Sequence, residues 1–269
     1  MAHLSKVRHA TSLRYVLSAQ SALICENLRE ITRLQMPKEW FSEWFGSPYY
    51  PILYGNRDES EAQHFIQKIS KHLQLPTNAK VLDLACGRGR HAVELNRLGY
   101  EVRGWDISAE SIADAQQFAN PHLQFSVLDM RNDFPEGNFD AILNLFTSFG
   151  YFENLAENQL VLQHIAKALK AEGKWVLDFF NPEYVRKIMI PFEVKILQNI
   201  SFLIRKSIEH GFVHKQIHII DGEKVFNFSE KVQLIEKEQF EAMFIKAGLQ
   251  VEYIWEDGGR LVFIGKKGL

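Results

Sequence analysis

Val81-Leu82-Asp83-Leu84-Ala85-Cys86-Gly87-Arg88-Gly89-Arg90-His91 decides how this chain folds. An apolar run of strand length enters a glycine-rich turn, and a helical pattern begins directly behind it. Gly87 and Gly89 let the backbone approach a ligand closely at the carboxyl edge of a sheet. The next strand-like run, 101–105, ends in Asp106. An acid there can accept hydrogen bonds from both hydroxyls of a ribose.

Outward from that stretch, strands and helices alternate. Strand-like runs at 80–84, 101–105, 124–128, 141–146 and 174–180 are separated by helical runs at 91–98, 108–118 and 156–169. The intervals suit βαβ crossovers. The predicted class is therefore α/β, a Rossmann-like doubly wound and mostly parallel sheet with helices on both faces. Upstream, Ala62, Phe65, Ile66, Ile69 and Leu73 give a helical stripe behind a cap at Asp58.

Residues 193–235 change character. Four short strands, 193–198, 201–208, 212–220 and 224–234, form an antiparallel platform inserted after the fifth strand, with Asp221-Gly222 as a hairpin turn. Ile204, Ile208, Ile217, Ile219, Phe226 and Phe228 give it one buried face, and the sequence leaves open what covers that face. A helix at 237–247, closed by Gly248, and strands at 251–255 and 261–266 complete the chain.

Two ligand classes use such a glycine loop. A dinucleotide needs Gly-x-Gly-x-x-Gly/Ala, which Gly87, Gly89 and Ala92 satisfy. Asp83 weighs the other way. A carboxylate at the strand end repels a pyrophosphate and suits the ammonium of a methionine moiety, directly or through water. The pattern favours S-adenosylmethionine over NAD, although Arg88 and Arg90 could bind phosphate or pair with nearby acids. An NAD(P)-dependent oxidoreductase remains the rival from the glycine pattern alone.

The segment 83–92, with Leu98-Gly99-Tyr100-Glu101-Val102-Arg103-Gly104-Trp105-Asp106-Ile107-Ser108, resembles the class I S-adenosylmethionine-dependent methyltransferases. It is closest to their broad small-molecule group, and the resemblance spans roughly 36–269. It implies a seven-stranded sheet and a cofactor loop of Asp83, Ala85, Cys86, Gly87 and Gly89, with Asp106 and Ile107 at the ribose. Asp129 and Met130 fall where the family holds adenine. Asn144, Leu145 and Phe146 end the fourth strand beside the reactive methyl. Tyr50, Tyr54 and Arg57 belong to a segment that closes over the cofactor in this group.

The implied activity is methyl transfer by in-line displacement to an unidentified small molecule. A non-catalytic cofactor sensor and an RNA methyltransferase also fit a fold of this kind. Asn181-Pro182-Glu183-Tyr184 resembles an amide- and base-methylating motif, but it follows the fifth strand instead of the fourth; it reads as a helix cap. No residue is compelling as a general base. Tyr151, and His214 with His218 on one face of a predicted strand, are the pocket candidates.

Composition narrows the partners. The 269 residues carry 31 Lys+Arg against 33 Asp+Glu, a net charge of -2. Residues 1–35 hold five basic and two acidic side chains, so the remainder stands near -5. That weighs against nucleic acid as a partner, since phosphate binding needs a basic excess. Cys25 and Cys86 make neither a disulfide framework nor a four-thiolate zinc site. No metal is expected. The absence of an apolar run of ~20 residues predicts no membrane helix, and a cytoplasmic monomer or homodimer is the expectation. Residues 1–35 read as an N-terminal extension, helical or disordered, with Met36 as an alternative natural start.

Overall fold

The computed structural model describes residues 40–55, 59–257 and 259–268. Expectations placed on the N-terminal extension, on Arg57 and on the Asp58 cap lie outside these residues. Seven strands form the main sheet: β1 (Lys80–Leu84), β2 (Glu101–Asp106), β3 (Leu123–Val127), β4 (Phe139–Asn144), β5 (Leu169–Phe180), β10 (Leu249–Asp257) and β11 (Arg260–Lys267). Their order is β10-β11-β5-β4-β1-β2-β3. Strands β1 to β5 pair in parallel, whereas β11 runs antiparallel to both β5 and β10.

Period-two burial explains the sheet. Val81 packs on one face with Ile66, Leu95 and Val102, while Leu82 and Leu84 pack on the other with Trp105, Phe139 and Ile142. Both faces are covered, so the strands read as nearly continuous apolar runs. Helices α3 (Glu59–Leu73), α4 (Arg90–Arg97), α5 (Ala109–Ala115) and α6 (Leu155–Ala168) flank the sheet or join its strands. Ser108 caps α5 by accepting from the Ser111 amide at 3.1 Å, and Asn154 caps α6 by accepting from Glu157 at 3.0 Å. The chain runs from β1 to β2 and β3 on one side, then returns to β4 and β5 on the other. The order reverses between β1 and β4, and their carboxyl ends open the crevice where such sheets bind ligands.

Several boundaries shift by a residue or two, and two differences have a clear cause. Strand β4 stops at Asn144 instead of 146, because Phe146 and Thr147 turn into left-handed backbone. Strand β5 starts at Leu169, five residues before the predicted run, since Lys170, Glu172 and Gly173 hid its first half.

The platform is present as β6 (Phe192–Leu197), β7 (Ile200–Glu209), β8 (Phe212–Asp221) and β9 (Lys224–Gln233), antiparallel in that order. Its inner face meets the aromatic helices α1 (Trp40–Gly46) and α2 (Tyr49–Leu53). Trp44 lies 4.9 Å from Phe228, and Tyr49 lies 4.9 Å from Phe226, ring to ring. Polar bonds fix the orientation. The Trp44 indole donates to Glu230 at 2.7 Å, the Tyr54 hydroxyl donates to Glu230 at 2.6 Å, and the Tyr49 hydroxyl donates to Asp221 at 3.0 Å. Lys215 pairs with Glu230 at 3.4 Å. The platform thus holds the two helices that roof the crevice. Its far end ties back to the sheet, where the Gln233 amide donates to the Gly150 carbonyl at 2.7 Å.

Candidate functional site

A cleft of about 250 Å³ opens at the carboxyl ends of β1, β2 and β4. Its floor is the glycine loop. Gly87 adopts φ +54°, and a Cβ placed there would meet nothing within 4 Å. Gly89 caps α4 at φ +83°, where a Cβ would strike the Phe125 ring at 2.8 Å. Gly87 therefore leaves room for a ligand, while Gly89 serves helix-to-sheet packing.

Asp106 ends β2 at the cleft. Its two oxygens accept the Gly87 amide at 2.8 Å and the Ser108 amide at 2.9 Å. A carboxylate offers about four lone-pair sites, so acceptor capacity remains for a ribose diol. Burial pushes this carboxyl up, against the amides of Ser108, Gly87 and Ile107. Asp83 lies beneath the loop, 1% exposed, and does not reach the cleft surface. One of its oxygens, Oδ2, has no hydrogen-bond partner among the described residues. Burial first, and then the neighbouring Asp106 charge, raise its pKa to about 7. Asp83 thus acts on a ligand through its field. Two acids at the glycine loop disfavour a pyrophosphate and favour a cation. An open Gly87 cradle, a ribose-ready Asp106 and a cation-favouring Asp83 fit S-adenosylmethionine.

The Asp83 shift has a measurable consequence. A folded-state pKa above the ordinary 3.8 means the folded protein binds the extra proton. Stability of the ligand-free protein then falls as pH rises from about 4 to about 7. A cation bound over the loop favours the ionised carboxyl, so cofactor affinity rises across the same window. Asp83→Asn is expected to flatten both trends; thermal melts and calorimetry between about pH 5 and pH 8 measure them. A slope unchanged in this variant would remove Asp83 from the assignment.

The remaining expected residues divide clearly. Tyr50, Tyr54, Ala85, Cys86, Gly87, Asp106, Ile107, Asp129, Met130, Leu145, Phe146 and Tyr151 line the cleft. Burial pushes the Cys86 thiol well up, so it stays neutral and is no nucleophile. Asp129 is held by Arg131, whose Nε donates to both its oxygens at 3.0 and 2.9 Å. Burial works to raise the Asp129 pKa, but these bonds outweigh it and lower the value. Asn144 is buried behind the wall, where its amide donates to the carbonyls of Leu84 at 2.9 Å and Ser148 at 3.2 Å.

His214 and His218 are not among the lining residues. They alternate with Ile217 and Ile219, which face α1, so they occupy the other face of the platform. His218 is 1% exposed, with Nδ1 2.6 Å from Asn227 Oδ1. Phe41, Phe45, Arg90, His91 and Ser148 also line the cleft. Nothing in the sequence distinguished His91 from a core histidine.

Part of the cleft lining is aromatic. Tyr151 lies 5.6 Å from Phe45 and 6.2 Å from Phe41, and Tyr50 lies 5.0 Å from Phe45, centroid to centroid. Such a wall excludes water and offers flat apolar faces beside phenolic hydroxyls. Among the described residues, no group of three or more His, Cys, Asp or Glu side chains could hold a metal ion, and no helix is long and apolar enough to cross a membrane.

Residues 81–173 match a family model described as a methyltransferase domain. The chain is 29% identical over 206 residues to the dTDP-3-amino-3,6-dideoxy-alpha-D-glucopyranose N,N-dimethyltransferase of Streptomyces fradiae, covering 72% of this chain and 79% of that protein. It is 27% identical over 204 residues to the dTDP-3-amino-3,4,6-trideoxy-alpha-D-glucopyranose N,N-dimethyltransferase of Streptomyces venezuelae, covering 71% and 84%. Its fold is similar to the crystal structure of an S-adenosylmethionine-dependent methyltransferase from Clostridium acetobutylicum, with a TM-score of 0.71, 19% identity, and coverage of 82% of this chain and 96% of that one.

Proposed function

We propose that this chain, which belongs to the class I S-adenosylmethionine-dependent methyltransferases, methylates the amino nitrogen of a small amino-sugar-like acceptor. The observation that carries the reading is the aromatic wall of the cleft, formed by Phe41, Phe45, Tyr50, Tyr54 and Tyr151. Apolar faces suit the C–H faces of a sugar ring, phenol hydroxyls suit its oxygens, and a dry wall favours the neutral, nucleophilic amine over its ammonium form. The two Streptomyces relatives act on amino sugars and align over most of their length.

S-adenosyl-L-methionine supplies an activated methyl group on a sulfonium. The acceptor nitrogen forms the new N–C bond as the C–S bond breaks, and the electron pair stays on sulfur. The nitrogen then releases its proton to solvent, so no strong base is required of the protein. This chain contributes alignment and desolvation, which together can supply up to about 7–11 kcal/mol. Tyr50, Tyr54 and Tyr151 hold the acceptor against the β4 wall, while Asp106 and the loop at Ala85–Gly87 hold the nucleoside and methionine ends.

The reading takes a small molecule as partner, neither nucleic acid nor membrane, in a cytoplasmic monomer or homodimer. Methyl-labelled cofactor offered with dTDP-3-amino-3,6-dideoxyglucose is expected to give mono- and dimethylated amine. The 3-hydroxy analogue and glycine should stay unlabelled. Labelling of the hydroxy analogue or glycine in preference to the amine would overturn the acceptor assignment.

A further inference from the structure

Phe146 and Thr147 adopt φ +58° and +59° in succession. Residues other than glycine are strained there and persist only where the surroundings impose the conformation. Asp178 on β5 imposes it. The Phe146 amide donates to Asp178 Oδ2 at 2.7 Å, and the Thr147 amide donates to the Asp178 main-chain carbonyl at 3.0 Å. Asp178 is 0% exposed, and Arg260 of β11 reaches its Oδ2 at 3.1 Å.

The same Arg260 guanidinium lies 3.8 Å from the Phe146 ring centroid. Arg90 lies 4.2 Å from that ring, and the His91 ring stacks on it at 4.9 Å. Arg90 in turn pairs with Glu61 of α3 at 3.1 Å. Phe146 is thus gripped by cations from β11 and from the helix behind the glycine loop. Phe146, Arg90 and His91 line the cleft, whereas Asp178 and Arg260 stand behind it.

We infer that Asp178 and Arg260 are positioning residues for methyl transfer, fixing the left-handed Phe146-Thr147 pair and with it the β4 wall against which acceptor and methyl group align. Neither touches the reactants, so the effect belongs to alignment and not to binding. The inference rests on cofactor-dependent methyl transfer and not on the identity of the acceptor.

Asp178→Asn keeps the volume and one acceptor but removes the charge that anchors Arg260. Arg260→Lys keeps the charge but loses the planar stacking on Phe146. A misplacement on the order of 1 Å costs about 100-fold, so Asp178→Asn is expected to lower kcat about 100-fold and Arg260→Lys about tenfold, with KM within about threefold. Hydrogen exchange at the Phe146 and Thr147 amides should quicken at least about tenfold in Asp178→Asn as local opening becomes easier. Affinity for S-adenosylhomocysteine, measured by calorimetry below the melting transition, should stay within about threefold in both variants.

Exchange and cofactor binding need no acceptor, so they decide the inference even where the amino sugar proves to be the wrong substrate. Native-like exchange at 146 and 147 in Asp178→Asn would overturn it. So would a loss of kcat that merely tracks loss of S-adenosylhomocysteine affinity or of folded protein. Arg260 is partly exposed, and its lysine variant keeps the test available should Asp178→Asn fail to fold.

Discussion

Replacing Asp106 with alanine is expected to weaken S-adenosylhomocysteine binding by at least about 100-fold. A hydrogen bond to a charged group contributes about 1.5–3 kcal/mol, and a ribose diol makes two, which converts to roughly 10²–10⁴ in affinity. The carboxylate also collects the Gly87 and Ser108 amides, at 2.8 and 2.9 Å, and so draws the glycine loop against the end of β2. Alanine orphans both amides, and the loop loses its shape along with its ligand. Asp106→Asn separates the two roles. Its carbonyl retains one amide, so stability should recover further than affinity does. Calorimetry gives the affinity and a thermal melt gives the stability of each variant. A dissociation constant within about threefold of the parent in the alanine variant would place the nucleoside elsewhere.

The sheet was legible because its rule is local. An apolar run into Gly87-x-Gly89, and then an acid at the end of the next strand, specify strand, turn, helix and strand without reference to distant residues. The platform strands and their turns were legible for the same reason. What failed was long-range. Strand β4 ends early because Asp178, 32 residues away, captures the Phe146 amide; no pattern within 141–146 announces that. Spacing placed His214 and His218 on one face of β8, correctly, but it cannot say which face turns to the cleft. A shift of one residue inverts every side chain of a strand, and only the partner of Ile217 and Ile219 decides the matter. The aromatics of 40–54 divide between core and cleft. Trp44 and Tyr49 sink into the platform while Phe41, Phe45, Tyr50 and Tyr54 line the cleft. A helix of this length has two faces, and composition alone does not apportion them.

The glycines around the loop allow ligand loss to be separated from fold loss. Gly87→Val is expected to lower cofactor affinity roughly 10- to 100-fold, the size of overlap forced into a filled site. At Gly87 a Cβ has open space around it, so in the ligand-free protein the side chain projects into the cleft without a clash. The left-handed φ of +54° adds a folding cost of at least roughly 1–2 kcal/mol for a residue with a Cβ. Gly104→Ala makes the opposite test. Its Cβ would stand 2.5 Å from Phe125 Cδ1 and 3.0 Å from Cys86 Sγ, inside the buried packing between β2 and β3. That overlap should destabilise the protein by about 1–3 kcal/mol. The folded fraction should still bind S-adenosylhomocysteine, because Gly104 does not line the cleft. The pair should therefore separate in affinity: both variants lose some stability, but only Gly87→Val loses cofactor affinity, while the folded fraction of Gly104→Ala keeps it. If Gly87→Val instead bound normally, the loop backbone would not be the cofactor cradle, and the open space above it would need another occupant.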